Sequence, residues 1–397
     1  MPWLRWLSAL CTCLALSLSV RQTALLHASS GQSTPPPSAQ SPQLIPRTQE
    51  ERNRGYDAAH RIVLNVGVFD ASGKAIPELI QTNFTLFKDH QPEKIARFRS
   101  VPGGSAVPPA HIVLVLDTVN NSASKLGYFR REIERYLAEG DGLLANPISI
   151  ALFSDSGVRV GEASRNRNTV LEELKGLAGS LRTMDCAGAV DGEKSYLSAT
   201  SRLAPVDPNP QLDCLNRRFN ESVAALASLA QQQANVPVRV ILIWIGQGWP
   251  LLSDNRFVPD TPATKASFFG NLVEISSALT GAQVMLDAIA SPDLSSGKKA
   301  VHAHWNAFFN GVASESQVTA ASLGLHALAQ QSGGVVLTDT RDIAGEITAC
   351  VADAASYYVL AFDSPPAAAF GEYHPLEVKI DKPDLTIRTR TFYYAEP

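Results

Sequence analysis

An aspartate at the end of an apolar run is the first group in this sequence with clear chemical potential. Asp117 closes the run AHIVLVLD, and the hydroxyl and amide side chains of TVNNSAS follow it at once. A buried strand that delivers a carboxylate to a polar loop is a common way to build a metal or substrate site at the edge of an α/β sheet. The loop therefore holds an ion, takes part in a reaction, or uses Asp117 only to cap its own backbone amides.

A second loop of interest is IGQGWPL, which follows the apolar run VRVILIW. Gly246 and Gly248 allow the backbone to turn sharply after a strand. This turn predicts that Trp249 lies beside Asp117. Two alternatives stay open for its indole: an exposed contact residue, or a packed residue in a tight turn.

The remaining candidate is the pair His302 and His304 in the segment HAHW. A His-x-His pair can bind a metal from a strand, but two ligands do not define a site. The sequence has no G-x-S-x-G motif, no P-loop and no G-x-G-x-x-G motif after a strand, so it lacks the usual signs of an α/β-hydrolase or a nucleotide-binding protein. We therefore predict a protein that is not an enzyme. The alternative is a metal-dependent envelope hydrolase that uses Asp117 with the two histidines.

Strands and helices alternate along the part of the chain that carries Asp117 and the glycine loop. Strand-like runs such as IVLVLD, PISIALFS, VRVILIWIG, AQVMLDAIA and VVLTD are separated by amphipathic helical patterns. One of these helices, NTVLEELKGLAGSL, is expected to begin at Asn168 or Thr169 as its cap. The alternation predicts an α/β domain over residues 110–355, with a doubly wound, mostly parallel sheet and helices on both faces.

The two flanking segments have a different pattern. Residues 58–102 form a small predicted β module, and residues 356–397 contain three more strand-like runs. Strands joined by short turns cannot extend a parallel sheet, because parallel neighbours need long crossovers. We expect the C-terminal strands to pack with the N-terminal module in one small sandwich-like domain. The α/β domain is then an insertion between them.

The N-terminus is typical of an exported protein. Arg5 precedes the apolar run LSALCTCLALSLSV, which is short for a membrane-spanning helix and suits a signal peptide over residues 1–28. An uncleaved anchor is the alternative. A Pro-, Ser- and Gln-rich linker is predicted for residues 29–57. We expect a secreted, periplasmic or envelope-associated protein with no stable membrane span after cleavage. The net charge of −4 gives no basis for nucleic-acid binding.

Export also bears on the cysteines. Cys186 and Cys214 bracket a polar, Pro-rich insertion, and in an oxidising compartment they form the natural disulfide pair. Cys350 lies in a helical pattern and is expected to be a buried, small apolar residue. The absence of a C-x-x-C pair gives no support for a zinc or thioredoxin-type site.

The α/β part of the chain resembles the von Willebrand factor type A (VWA) domain. The chain as a whole resembles the acidobacterial-type VWFA-domain proteins. The resemblance rests on VGVFDASGKAIPELIQTNFTLFKDHQPEKIARF, IVLVLDTVN, RVILIWIGQGWPL, LAQQSGGVVLTDTRDIAGEI and SYYVLAFDS, in that order, with LEVKI and LTIRTRTFYYA after them. It covers about Arg61 to Tyr394. It implies a Rossmann-like VWA fold.

The resemblance also implies a Mg²⁺-type site at the carboxyl ends of the strands, with an Asp-x-Ser-x-Ser motif and a second aspartate after the central strand. Here Asp117 matches the first ligand, Val119 replaces the first serine and Asn121 the second. Gly246, Gln247 and Gly248 stand where Thr-Asp-Gly is usual. The family pattern is thus degenerate. Asp117 and Asn121 are its only remaining metal-ligand candidates, and we expect no cofactor.

Binding to a protein partner is the function that the resemblance implies. It places the contact surface on the loops at the carboxyl ends of the strands, and the sequence does not identify the partner. The predicted binding residues are Asp117, Asn120, Asn121, Ser122, Gln247 and Trp249.

Overall fold

A computed structural model describes residues 61–102, 110–140, 142–177, 181, 183–184, 210–249, 261–289, 310–338, 341–395 and 397. The predicted signal peptide and linker, and the first residues of the predicted β module, lie outside the described residues. So do Cys186, His302 and His304.

The described residues form fourteen strands and six α-helices. The strands are β1 Arg61–Phe69, β2 Phe84–Lys88, β3 Gln91–Glu93, β4 Arg97–Val101, β5 Ala110–Asp117, β6 Leu143–Ser154, β7 Gly157–Val160, β8 Ser164–Asn166, β9 Arg239–Ile245, β10 Val284–Ile289, β11 Tyr357–Asp363, β12 Glu372–Ile380, β13 Thr386–Arg388 and β14 Phe392–Ala395. The helices are α1 Ala123–Ala138, α2 Arg167–Gly176, α3 Pro210–Gln233, α4 Pro262–Gly281, α5 Leu325–Gln331 and α6 Ile343–Ala352. Short 3₁₀ turns occur at Gln81–Asn83, Glu315–Gln317 and Ala320–Leu323.

The central sheet is mostly parallel. Its order is β10-β9-β5-β6-β7, and β8 also pairs with β6. Neighbouring pairs among β10, β9, β5 and β6 are parallel, whereas β7 and β8 run antiparallel to β6. Every residue of β5 and of β9 is buried, because helices cover both faces of the sheet.

The helices divide between the two faces of this sheet. Alternate residues of β5 point to opposite faces, so that Val113 belongs to one hydrophobic cluster and Leu114 to the other. Helices α3, α4 and α5 contribute to the cluster that contains Val113, and helices α1, α2 and α6 to the cluster that contains Leu114. The structure is therefore a mixed α/β fold with a mostly parallel central sheet.

Two separate antiparallel sheets are built from strands near both ends of the described chain. Their orders are β13-β1-β11-β4 and β14-β12-β2-β3. Strand β1 pairs with β11 from Arg61 opposite Asp363 to Val66 opposite Tyr358, and β2 pairs with β12. Apolar residues of both sheets share one core. Strand β14 also reaches the central-sheet region, where the rings of Tyr394 and Phe269 of α4 are 5.8 Å apart.

Two local predictions were wrong. Helix α2 is capped by Asn166, whose side chain accepts hydrogen bonds from the amides of Asn168 and Thr169, so these two residues are the first turn and not the cap. The described part of the run VVLTD, residues 335–338, forms only an isolated bridge between Val336 and Ala288 of β10. Among the described residues, no helix has the length and apolar character to cross a membrane.

Candidate functional site

The candidate site lies where the connections of the central sheet diverge. From β5 the chain continues to its neighbour β6 on one side, and from β9 it continues to β10 on the other. In open α/β sheets such a divergence leaves a crevice outside the carboxyl ends of the two strands, where ligands commonly bind. Asp117 is the last residue of β5, and the loop Gly246–Trp249 follows β9 directly. The two loops singled out from the sequence therefore meet at this crevice.

Asp117 is fully buried, and its carboxylate accepts four hydrogen bonds from its own chain. Oδ1 accepts from the backbone amides of Val119 and Asn120, both at 2.9 Å. Oδ2 accepts from Nδ2 of Asn120 at 2.7 Å and from the indole Nε1 of Trp244 at 3.2 Å. Asp117 therefore caps the loop that follows it, and Trp244 of β9 supplies one further donor.

Burial and hydrogen bonding act on this carboxyl in opposite directions. Removal from water raises the pKa of Asp117, and the donors on Asn120, Trp244 and Val119 oppose that rise. All four partners are donors, so only the ionised carboxylate satisfies all of them.

The residues of this site do not fit a Mg²⁺ ion. A carboxylate offers about four lone-pair positions, and the four donors already occupy those of Asp117. The only buried oxygens of the loop without a hydrogen-bond partner are the neutral Oδ1 atoms of Asn120 and Asn121. The side chain of Val119 has no oxygen at all. Among the described residues, no group of three or more His, Cys, Asp or Glu side chains is arranged to hold a metal.

The two asparagines hold the loop onto its surroundings. Nδ2 of Asn120 also lies 2.9 Å from Oγ of Ser222 in α3, and the Ser222 hydroxyl donates to the carbonyl of Arg218. Nδ2 of Asn121 donates to the backbone carbonyl of Asp117 at 2.9 Å. The loop is thus tied both to the end of β5 and to helix α3.

Gly246 is required by the close approach of the two loops. Its φ of +133° is one that side chains rarely adopt, and a Cβ placed there would lie 2.5 Å from Nδ2 of Asn121. The glycine therefore lets the β9 loop rest against the Asp117 loop.

Of the two alternatives for Trp249, the structure shows the packed residue in a tight turn, so its prediction as an exposed binding residue is wrong. Only 3% of its surface is accessible. Its indole Nε1 donates to the carbonyl of Leu323 at 2.9 Å, and its ring meets that of Trp244 edge-on with centroids 5.4 Å apart. Both the polar and the apolar parts of the indole have partners inside the protein, which accounts for its burial.

Burial divides the six predicted binding residues. Asp117, Asn120 and Asn121 are buried like Trp249, and none of the four presents a surface to a partner. Ser122 and Gln247 are exposed. Ser122 also caps α1, where its Oγ accepts from the amide of Lys125 at 3.4 Å.

Three residues of the site were not found from the sequence. Lys125 is exposed and its Nζ donates to Oε1 of Gln247 at 2.9 Å, which links the start of α1 to the β9 loop. Trp244 is hidden in the apolar run of β9, where its position gives no sign of a hydrogen-bonding role. Ser222 lies among small residues of α3. Only Lys125 could have been suggested from the sequence, because it lies one turn after the polar loop.

The predicted disulfide and the histidine pair were not placed by the structure. Cys186, His302 and His304 lie outside the described residues, so both predictions stay predictions. Cys214 lies in α3 and is 8% accessible. Cys350 is a fully buried free cysteine in α6, as expected from its helical pattern.

Comparison with known proteins gives only remote similarity. No family model matches the chain, and no curated protein matches it. The human COPII-coat protein Sec24c is similar with a TM-score of 0.33 and 9% identity, over 74% of this chain and 44% of that one. Three N-terminal domains of the type V pili tip protein Mfa5 from Porphyromonas gingivalis are similar with a TM-score of 0.18 and 10% identity, over 49% and 29% of the respective chains. The chain spans less than half the length of either structure. Similarity at this level carries no argument about function.

Proposed function

We propose that this chain is an exported, non-catalytic VWA-domain protein that binds a protein partner through the loops at the carboxyl ends of its central strands. In this proposal a Rossmann-like VWA domain is inserted in a small β-sandwich-like domain made by both ends of the chain. The order of the central sheet, the helices on both of its faces and the pairing of β1 with β11 support this arrangement. Export and an envelope or secreted location rest on the N-terminal sequence.

The observation that carries the proposal is the saturated carboxylate of Asp117. The crevice at the divergence of β5 and β9 is the natural ligand site of such a sheet. Here it is filled by the chain's own donors, with no lone pair of Asp117 left for an ion or a reacting group. A site of this kind supports contact by its rim and does not require a cation.

The rim consists of three exposed polar residues: Ser122, Lys125 and Gln247. The hydrogen bond between Lys125 and Gln247 links the start of α1 to the loop after β9. The buried residues Asp117 and Trp249 fix the position of these loops, and so give the rim a defined shape. A rim held in this way loses little conformational freedom on binding, which favours affinity.

The alternative of a metal-dependent envelope hydrolase finds no support at Asp117. Its four hydrogen bonds leave it neither a free metal-binding lone pair nor access to a substrate, since the side chain is fully buried. No described residue favours this function over partner binding.

Site-specific crosslinking tests the proposal. A photoreactive amino acid is placed at Gln247 or Ser122 of the full chain, and at Lys382 as the control. Lys382 is an equally exposed residue in the turn between β12 and β13. After irradiation with envelope extract of the producing cells, we expect both rim positions to capture the same protein and Lys382 not to capture it. EDTA should leave the yield unchanged.

The captured partner then allows a quantitative comparison. Lys125→Glu should weaken its binding by about tenfold, because a rim charge affects association and electrostatic fit. Lys382→Glu makes the same change of charge away from the rim and should have no effect. Equal capture from Lys382, or capture that EDTA abolishes, would contradict the proposal.

A further inference from the structure

A small pocket lies away from the proposed binding rim, between the central sheet and the antiparallel sheet that contains β1. Its lining includes Asn65 of β1, Gln283 just before β10, Ser332 after α5, and Thr389 and Arg390 between β13 and β14. The space suits one occupant of about the size of a water molecule. We call it the Arg390 pocket.

Arg390 is a buried cation without a carboxylate partner. Its side chain is 7% accessible, and no ion pair among the described residues includes it. Burial lowers the pKa of Arg390 to about 10, and no acidic side chain contributes to that pKa. The guanidinium therefore stays charged at neutral pH. Arg388, two residues earlier, pairs instead with Asp353, where Nη2 and Oδ1 are 2.8 Å apart.

The surroundings compensate only part of this charge. Arg390 donates a hydrogen bond to the hydroxyl of Thr280, in the last turn of α4. The carboxyl end of a helix carries a partial charge equivalent to about −0.5. The neutral hydroxyl of Thr280 and the end of this helix therefore offset the arginine charge only in part. Leaving a buried charge uncompensated is costly, so the pocket favours an anion.

Neutral polar groups in the same pocket are also unsatisfied. Oγ1 of Thr389 is buried and has no hydrogen-bond partner among the described residues. A hydroxyl can donate to an anion, and the guanidinium supplies several further N–H donors. Asn65 and Gln283 also line the pocket. Oδ1 of Asn65 is likewise unpartnered, but as an acceptor it calls for a donor and does not contact an anion, so the anion is argued from Arg390 and Thr389.

We propose that the Arg390 pocket binds a monatomic anion of the halide class, with chloride as its occupant. The charge of Arg390 selects an anion, and the small space excludes phosphate, sulfate and carboxylates. The hydroxyl of Thr389 supplies a second donor. A bound water is the competing occupant, but it brings no counter-charge.

Thermal melting of the full chain in different salts tests this proposal. Melting temperatures are compared in sodium chloride and sodium gluconate at equal ionic strength, because gluconate is too large for the pocket. We expect a saturable rise with chloride, of about 2–4 °C at ten times its dissociation constant. Crystals soaked in bromide should show an anomalous peak within hydrogen-bonding distance of Arg390.

Two variants assign the effect to the pocket. Arg390→Gln should abolish the rise with chloride, whereas the matched control Arg388→Gln should keep it, because Arg388 already has a carboxylate partner. If Arg390→Gln does not fold, Thr389→Val removes the hydroxyl at similar volume and should reduce the rise. Equal melting of the wild-type protein in both salts would overturn the proposal, as would a rise that Arg390→Gln retains.

Discussion

Asp287 gives the sharpest test of the electrostatics in this structure. It lies in β10 and is fully buried, with Oδ1 accepting from the amide of Val335 at 2.9 Å. Burial raises the pKa of Asp287 to about 7, and repulsion from Asp353 adds to the rise. The Val335 amide and the positive charge of Arg239 oppose it. The perturbation we choose is Asp287→Asn, which removes the charge and keeps the shape.

The sign of the effect follows from proton binding. Because the pKa in the folded state is higher than in the unfolded state, the folded protein holds the proton over the range from about pH 4 to about pH 7. Stability is therefore lost as the pH rises through this range. A shift from 3.8 to about 7 corresponds to about 4 kcal/mol in all. Between pH 5 and pH 8 the loss amounts to about 3 kcal/mol.

Urea unfolding of wild-type and Asp287→Asn protein at several pH values measures this difference. The variant should gain about 3 kcal/mol over the wild type between pH 5 and pH 8. A pH-independent effect of the new amide on the free energy of unfolding cancels, because only the change with pH is compared. Asp384→Asn, in the exposed turn before β13, controls for the substitution itself. A difference between variant and wild type that stays flat with pH would refute the reasoning.

Four further predictions address the site and the architecture. Mg²⁺ and EDTA should leave the melting temperature of the protein unchanged, and a clear rise with Mg²⁺ would argue against a saturated carboxylate. Gly246→Ala should destabilise the protein by about 2–5 kcal/mol in denaturant unfolding, through a strained φ and a clash with Asn121, and an effect below 1 kcal/mol would speak against the close approach of the loops. A non-reduced digest should contain linked Cys186 and Cys214 peptides. Recovery of both residues as free thiols would contradict the predicted disulfide. Deletion from Tyr357 onward removes β11 and should abolish hydrogen-exchange protection in β1, which retained protection would disprove.

Much of the central sheet could be predicted from the sequence because burial on both faces leaves a strong pattern. The strands β5 and β9 are continuous apolar runs, a composition typical of strands that are buried on both faces of a sheet. The described part of the run VVLTD has a similar composition but pairs by a single bridge. The physical reason is a contact with β10: the carboxylate of Asp287 accepts the Val335 amide, which replaces a hydrogen bond of the ladder. A side chain on another strand cannot be seen in the run itself.

The position of the site could be predicted from the sequence, but the burial of its side chains could not. Asp117 and the loop after β9 could be placed together because the carboxyl ends of parallel strands share an edge. The burial of Trp249 depends on the carbonyl of Leu323, more than seventy residues later in the chain, and no local pattern reports it. The role of Ser222 likewise depends on how α3 packs against the loop. Sequence periodicity identifies an element and its buried face, whereas pairwise contacts between distant elements require the fold.

In the VWA comparison that we propose for this chain, the differences between this loop and the family pattern act together. Val119, at the position of the first serine, is 1% accessible and belongs to a hydrophobic cluster of the central sheet. Asn121, at the second, donates to the Asp117 carbonyl and fills the space beside Gly246. Gln247, at the position of the second aspartate, bonds to Lys125.

At each of these three positions the side chain makes a contact within the protein, where the proposed family pattern would place a contact to an ion. Hydrogen bonds to a charged acceptor contribute about 1.5–3 kcal/mol each, so an ion that took the place of even one donor of Asp117 would lose about that much free energy. Replacing Val119 with serine would add one oxygen and leave those donors in place. A single substitution is therefore not enough to create a Mg²⁺ site, because the donors would still occupy Asp117 and a second carboxylate would still be missing.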